Sequence, residues 1–462
     1  MRNIIIMIVM VFISSIAIAQ KKNVIVIMTD QQGVNMMSCT GNKWVNTPNL
    51  DKLASKGVRF ENTSPTNPVC VPSRFSFQTG KYPSAIGMRH NDSKINRDAH
   101  DQIINDAMGN VFKRAGYDTY YGGKVHFPTS YDNASNYGYE MLTSDYRDEL
   151  ADKSAEFIKN RSKEDKPFLL FLSFMNPHDI CYLGLREMLP GSWYDTHTPK
   201  PLLDLVDKKE IMVSDLKGEL PPIPDNFGIT EGEPTGNQEL LKIRKYRQML
   251  RENWTEDDWR FHKWAYAKLT ERADSLIGVF LNGFYGSEVA ENTVVIFTSD
   301  HGDLDGAHKL EHKSFFYEES IKVPMIVAGK DIKQGIVGED VMINNGLDLL
   351  PTACDLAGIN APSHLEGESF APLVEQGLEG KYSARKHLVI ENQVGFMIMD
   401  GRYKYQKFDG SDGNGGDMLF DLQEDPGEMK NVVEDDKYKK LVKNMNRLLE
   451  KHTKKIKNDY SM

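Results

Sequence analysis

The chain is poor in cysteine: Cys39, Cys70, Cys181 and Cys354 are the four in 462 residues, and no two form a C-x-x-C pair. This excludes a thiolate-rich zinc or iron–sulfur fold and a disulfide-dense scaffold. A basic surplus is also lacking, since 56 Lys and Arg stand against 66 Asp and Glu for a net charge of −10. Nucleic acid is therefore not an expected partner, and any anionic ligand must be drawn by a local basic pocket. Internal repeats and long low-complexity tracts are absent, and only residues 410–416 read as a flexible hairpin loop. With 40% hydrophobic and 26% charged residues, the chain suits a globular protein with one large core and a smaller second domain.

No apolar run is long enough to span a bilayer. Residues 1–19 come nearest, with Arg2, an apolar stretch interrupted by Ser14-Ser15, and a small-x-small ending at Ala17-Ile18-Ala19. The pattern reads as a secretory signal peptide cut before Gln20, without the cysteine that would mark a lipoprotein. The expectation is an exported protein, periplasmic or secreted, with no stable membrane insertion.

Three nearly unbroken apolar runs are present, at residues 23–29, 167–174 and 293–299. Each reads as a strand buried on both faces. They end in Asp30-Gln31, in Asn176-Pro177-His178-Asp179 and in Asp300-His301-Gly302-Asp303, at the kind of edge where open α/β sheets bind ligands. Helical patterns at residues 151–159 and 248–284 lie between them, the second with Trp264, Leu269, Leu276 and Phe280 facing inward. The alternation predicts an α/β fold, a large mixed, mostly parallel sheet sandwiched by helices. Residues 199–234, with Leu220-Pro221-Pro222-Ile223-Pro224, read as a long surface insertion near the active-site mouth. After Pro372 come short strands at 386–390, 395–399, 403–405 and 418–422 and an amphipathic helix at 437–451. The expected organisation is a signal peptide at 1–19, a catalytic domain at 20–372 and a C-terminal α+β subdomain with an antiparallel sheet at 373–462.

Cys70-Val71-Pro72-Ser73-Arg74 is the stretch that packing explains least. A turn-rich segment precedes it and residues 73–80 can form a helical turn, so Cys70 sits near a helix N-terminus with Arg74 one turn on. Both features favour negative charge at that point. A buried, inert thiol is the alternative reading. The five residues match the C-x-P-S-R signature, and the chain resembles the type I sulfatases of the alkaline phosphatase superfamily, in which this cysteine becomes formylglycine. The wording of residues 419–428 resembles the C-terminal subdomain of the same family.

The resemblance implies a site. Asp30, Gln31, Asp300, His301 and the modified Cys70 would hold one divalent cation, with calcium the first choice and manganese or magnesium the other candidates. Gln31 stands where many members have a second aspartate, which resembles the Asp-Gln subset that includes choline sulfatases and phosphonate monoester hydrolases. Gly123-Lys124-Val125-His126 matches the family's Gly-Lys-x-His; two residues apart on an extended segment, Lys124 and His126 would share one side. Lys313, downstream of Asp300-His301-Gly302, would neutralise charge on the bridging oxygen. His178 would protonate the leaving alcohol and His126 would take the proton that releases sulfate. His90, Asn91, Asn176 and His308 are candidate substrate contacts; the first three read equally as ordinary surface loop residues, and for His308 a structural role is the favoured reading. With Cys70 consumed, at most one disulfide can form among Cys39, Cys181 and Cys354.

The implied activity is sulfate ester hydrolysis, exo-acting on sulfated carbohydrate, with a formylglycine-generating enzyme as maturation partner. Three alternatives stay open: a phosphonate or phosphate ester hydrolase, an inactive sulfated-glycan-binding homologue, and a thiol-dependent hydrolase using Cys70 itself.

Overall fold

The computed structural model describes residues 21–382, 385–409 and 416–459; the expected signal peptide and residues 410–415 of the hairpin loop lie outside it. The first ten strands are β1 (Asn23–Asp30), β2 (Gly57–Phe60), β3 (Thr63–Ser64), β4 (Asp118–Gly123), β5 (Glu140–Thr143), β6 (Phe168–Pro177), β7 (Thr293–Ser299), β8 (Met325–Gly329), β9 (Ile336–Gly338) and β10 (Ile343–Asn344). Eight of them form one sheet in the order β5-β4-β6-β1-β7-β8-β2-β9, parallel except where β8 meets β7 and β2. The mixed, mostly parallel α/β sheet expected from the sequence is present.

The three apolar runs are β1, β6 and β7, and they lie side by side at the centre, β1 between the other two. Their lack of polar alternation follows from burial on both faces. Val24, Val26 and Met28 join one core, with Phe112 and Leu349 from helices on that side. Ile25 and Ile27 join the other, with Leu53, Ile277 and Phe280.

The pattern at 248–284 is two helices, Tyr246–Asn253 and Glu256–Tyr285. The break is chemical: Thr255 accepts from the Asp258 N–H and Asp258 reaches back to the Thr255 N–H, a capping box that starts the second helix. Residues 199–234 are likewise not a featureless excursion. They carry the short helices Lys200–Val206 and Lys209–Ser214, whose Leu202 and Met212 enter a third core with Leu250 and Trp259.

The C-terminal strands β11 (Leu388–Asn392), β12 (Gly395–Met399), β13 (Tyr403–Phe408) and β14 (Met418–Asp421) form an antiparallel sheet in sequence order. The Lys439–Asp459 helix, longer than the pattern suggested, packs Met445, Leu449 and Ile456 against Tyr405 and Leu419. All four cysteines are free thiols, so the disulfide allowed by the sequence does not form.

Candidate active site

Register brings the strand ends together. Asp30 on β1 pairs with Pro177 on β6, and Thr29 pairs with Ser299 on β7, so Asp30, His178 and Asp300 emerge at one edge. Arg74 ties them. Its Nη2 donates to Asp30 Oδ2 and its Nε to Asp300 Oδ2, each at 2.9 Å, while Nη1 donates to Ser173 Oγ and the Lys124 carbonyl. Arg74 is 1% exposed and both carboxylates are fully buried. Burial opposes its charge, but Asp300 and Asp30 hold the guanidinium firmly protonated.

Cys70 is the first residue of the Cys70–Thr79 helix and is 1% exposed. Val69, its N-cap, offers no side-chain cap; Asn91 Oδ1 accepts from the Val71 N–H at 3.0 Å and does that work from a distant loop. Ser73 Oγ donates to the Asp300 carbonyl at 2.6 Å, locking the helix to the β7 edge. Cys70 Sγ lies 2.9 Å from Lys313 Nζ, 3.2 Å from His301 Nε2 and 3.8 Å from Asp30 Oδ1.

Ligand atoms of Asp30, Cys70, Asp300 and His301 all fall within 4.8 Å of one another, and all four residues are buried. The donor set suits an oxygen-loving divalent cation. Asp30 spends Oδ2 on Arg74 and Lys124 and turns Oδ1 toward Cys70 and His301. Asp300 spends Oδ2 on Arg74 and holds Oδ1 3.6 Å from His301 Nε2. One oxygen of each carboxylate thus stays directed at the cluster. Gln31 borders it: its Oε1 accepts from Lys313 at 2.8 Å and from Cys181 Sγ at 3.0 Å, and its Nε2 donates to Asp303 at 2.5 Å.

The sulfatase family model matches residues 22–359, well over half of the chain, and the model for the C-terminal region of N-sulphoglucosamine sulphohydrolase matches residues 306–455. The chain belongs to the sulfatase family. Its chemistry is sulfuric ester hydrolysis. Similar curated proteins include a Delta 4,5-hexuronate-2-O-sulfatase of Bacteroides thetaiotaomicron, 28% identical over 96% of this chain and 90% of that one. An N-acetylglucosamine-6-O-sulfatase of the same organism is 26% identical over 95% and 88%. Among solved structures, a 2-O GAG sulfatase superposes with a TM-score of 0.77 at 28% identity, covering 96% of this chain and 94% of that one.

In this sulfatase the remaining basic residues surround Cys70. Lys124 Nζ donates to Asp30 Oδ2 at 2.6 Å. His126 also reaches Cys70, and its contact favours the thiolate. The two do not share an extended strand: β4 ends at Gly123, and His126 sits at φ 52°, so a turn delivers both. Gly123 makes that turn at φ +90°, where a Cβ would stand 2.2 Å from the Ser173 carbonyl oxygen. Lys313 is carried on a loop with positive φ at Asp305, His308, Lys309, His312 and Ser314, the kind of strain that collects at functional sites.

Burial pushes the Cys70 thiol up, but Lys313, His301 and Lys124 overcome this and hold it well below the usual thiol range. Asp30 is raised by burial and by Cys70 and is still held below the usual carboxylate range by Lys124, His178 and Arg74. Burial and the neighbouring Asp30 raise Asp300. His178, with Nε2 3.9 Å from Asp30 Oδ1, is pushed down to about 3 by burial and by Lys124.

Lys313 and His178, beside the cluster, line a cavity of about 610 Å³. His90 and Asn91 line it. His308 does not. It is fully buried elsewhere, stacked on Tyr317 at 3.6 Å and hydrogen-bonded to Thr230, because the strained loop turns it away from Lys313. Asn176 is 2% exposed at the end of β6, with both amide atoms unpartnered, and is not among the cavity's lining residues. The mouth is also not built from 199–234; Tyr182, Tyr194, Arg244, Tyr246 and Arg247 form it, and Gln393 reaches in from the turn after β11. Of the residues the sequence reading passed over, Ser73 had a signal, since it stands inside the five-residue signature. Cys181, Arg247 and Gln393 had none.

Proposed function

We propose that the chain is an exported, exo-acting sulfatase of sulfated carbohydrate, with formylglycine at position 70 and calcium held by Asp30, Asp300, His301 and the modified residue 70, while Gln31 is spent on Lys313, Cys181 and Asp303. The observation that carries this reading is the position of Cys70 Sγ, grouped within 4.8 Å with two carboxylates and an imidazole and 2.9 Å from Nζ of Lys313, a residue that lines a cavity. The sugar sulfatases among the relatives support the carbohydrate substrate. The signal-like residues 1–19 support export, and among the described residues no helix is long and apolar enough to cross a membrane.

A formylglycine hydrate supplies a nucleophilic hydroxyl and a second hydroxyl whose deprotonation expels sulfate, and the cation draws charge off the ester oxygens. Lys124 and Lys313 face the same oxygens with fixed positive charge where it develops in the transition state. Arg74 holds Asp30 and Asp300 in place, since its three nitrogens are all engaged with the protein. A sulfate ester brings a negative charge beside His178 and so favours its protonated form, which gives its proton to the departing alcohol. His126 takes the proton of the second hydroxyl. The catalytic domain of this reading is residues 20–372, with residues 373–462 as a subdomain that reaches the cavity through Gln393.

Mass analysis of the Cys70 peptide from the native host, paired with sulfate release from a panel of sulfated monosaccharides and disaccharides, tests the reading. An aldehyde at position 70 and desulfation of a sugar are expected. An unmodified thiol whose alkylation abolishes activity would favour a thiol-dependent hydrolase. Turnover of phosphonate esters with no desulfation would favour that chemistry, and no turnover of either would leave a glycan-binding protein.

A further inference from the structure

The described residues include three buried arginines, Arg59, Arg74 and Arg247. Two have carboxylate partners: Arg59 pairs with Glu61, and Arg74 with Asp30 and Asp300. Arg247, 3% exposed, has no ion pair with a carboxylate. Its Nη2 donates to the Lys313 carbonyl at 2.9 Å, while Nε and Nη1 are buried without a hydrogen-bond partner. Phe315 lies under the guanidinium, with the ring centroid 5.4 Å from Cζ. The neighbouring Tyr246 hydroxyl offers no charge, because burial keeps it protonated.

A desolvated guanidinium with two unpaired donors, met by a carboxylate only at longer range through buried Glu311, is costly unless an anion meets it. Arg247 lines the same cavity as Lys313, and so does Arg244, an exposed arginine three residues earlier. Asp92 is the one carboxylate in that lining. The path from Arg247 to the reacting centre is the length of one lysine: Arg247 grips the Lys313 carbonyl, and Lys313 Nζ touches Cys70. A single sugar ring spans such a gap.

We propose that Arg247, backed by Arg244, forms a second anion subsite that binds a carboxylate or a further sulfate on the sugar whose sulfate ester sits at Cys70. The substrate class is then a saccharide with two anionic groups, and the fork of Arg247 selects it by bidentate hydrogen bonding. This rests on the sulfated-carbohydrate reading above and narrows it.

The test compares steady-state kinetics of the matured enzyme on a 2-O-sulfated uronic acid disaccharide, a disulfated glucosamine and a neutral sugar with one sulfate. Arg244→Gln, Arg247→Gln and Arg247→Lys are made, the last keeping the charge in case the glutamine does not fold. For at least one dianionic substrate, KM is expected to rise about tenfold or more in Arg247→Lys and Arg247→Gln, and less in Arg244→Gln. The neutral monosulfate should change little. Loss confined to the uronic acid identifies a carboxylate, and loss confined to the disulfate a second sulfate. An equal fall on all three substrates, or none on any, overturns the subsite while leaving the sulfatase reading intact. Failure of the wild type to release sulfate from every sugar overturns both.

Discussion

Lys313 donates to Gln31 Oε1 at 2.8 Å, and the same ammonium reaches Cys70 Sγ at 2.9 Å. A neutral amide orients the lysine without cancelling its charge, so the charge acts on position 70. The other end of Gln31 donates to Asp303, a buried carboxyl raised above its usual range by burial. Gln31→Glu keeps the shape, but it sets a carboxylate against Asp303 and gives Lys313 an ion-pair partner. A kcat loss of about tenfold to a hundredfold is expected, with a stability loss of about 1–3 kcal/mol. Unchanged kcat in a folded Gln31→Glu protein would show that the charge of Lys313 is not what matters.

Arg74→Lys retains a charge and loses the fork. One ammonium cannot serve Asp30, Asp300 and Ser173 together, so a buried carboxylate is left short of a partner. Denaturant titration should show a loss of about 3 kcal/mol, and sulfate release should fall at least a hundredfold, well beyond a conservative exchange.

Removing the cation is expected to stop sulfate release and lower Tm, since Asp30 and Asp300 would then face each other with less compensation. Exhaustive chelation followed by metal analysis checks this, and add-back of calcium, magnesium and manganese ranks the ions. Full activity in metal-free protein would remove the cation from the reaction.

His262 supplies a pH test away from the catalytic edge. Burial alone would lower it, but contacts with Asp305 and Glu311 raise it to about 10. A raised pKa contributes stability that is complete below the unfolded value of about 6.5 and fades as pH rises through about 10. His262→Gln should therefore be destabilised most below pH 6.5, by about 3 kcal/mol, with the gap to wild type closing toward pH 10. A gap that widens with pH would contradict the assignment.

Thr255→Ala removes the capping box that starts the Glu256–Tyr285 helix. The expected cost is about 1 kcal/mol in chemical denaturation with kcat unchanged, because the capping contacts join Thr255 and Asp258 to each other and to Lys209, not to the Cys70 cluster. A change in kcat would link the cap to the site.

The central strands and the residues at their ends were legible because strands buried on both faces leave unbroken apolar runs, and the first polar residue after each run marks the edge. The signature around Cys70 was legible for a similar reason: its chemistry is local. The helix break was written in Thr255-Glu256-Asp257-Asp258 but is easily lost inside a continuing amphipathic pattern. Residues 199–234 hid their structure because Leu202 and Met212 are buried singly, one per short helix, which leaves no period to read. His308 is structural, the favoured reading of its residue type, although its spacing also allowed a substrate contact; positive φ values in its loop point neighbours in different directions. Arg247 carries no sequence signal, because what sets it apart is the lack of a direct ion pair and the two unpaired nitrogens in three dimensions.

Cys70 and Lys313 are 243 positions apart along the chain. During synthesis the cysteine emerges long before the loop that covers it, and at 5–20 residues per second the interval is roughly 12–50 s. For that time Cys70 is an ordinary exposed side chain, open to any reagent or enzyme. Once the loop arrives, the pocket that gives the residue its reactivity also shuts it away.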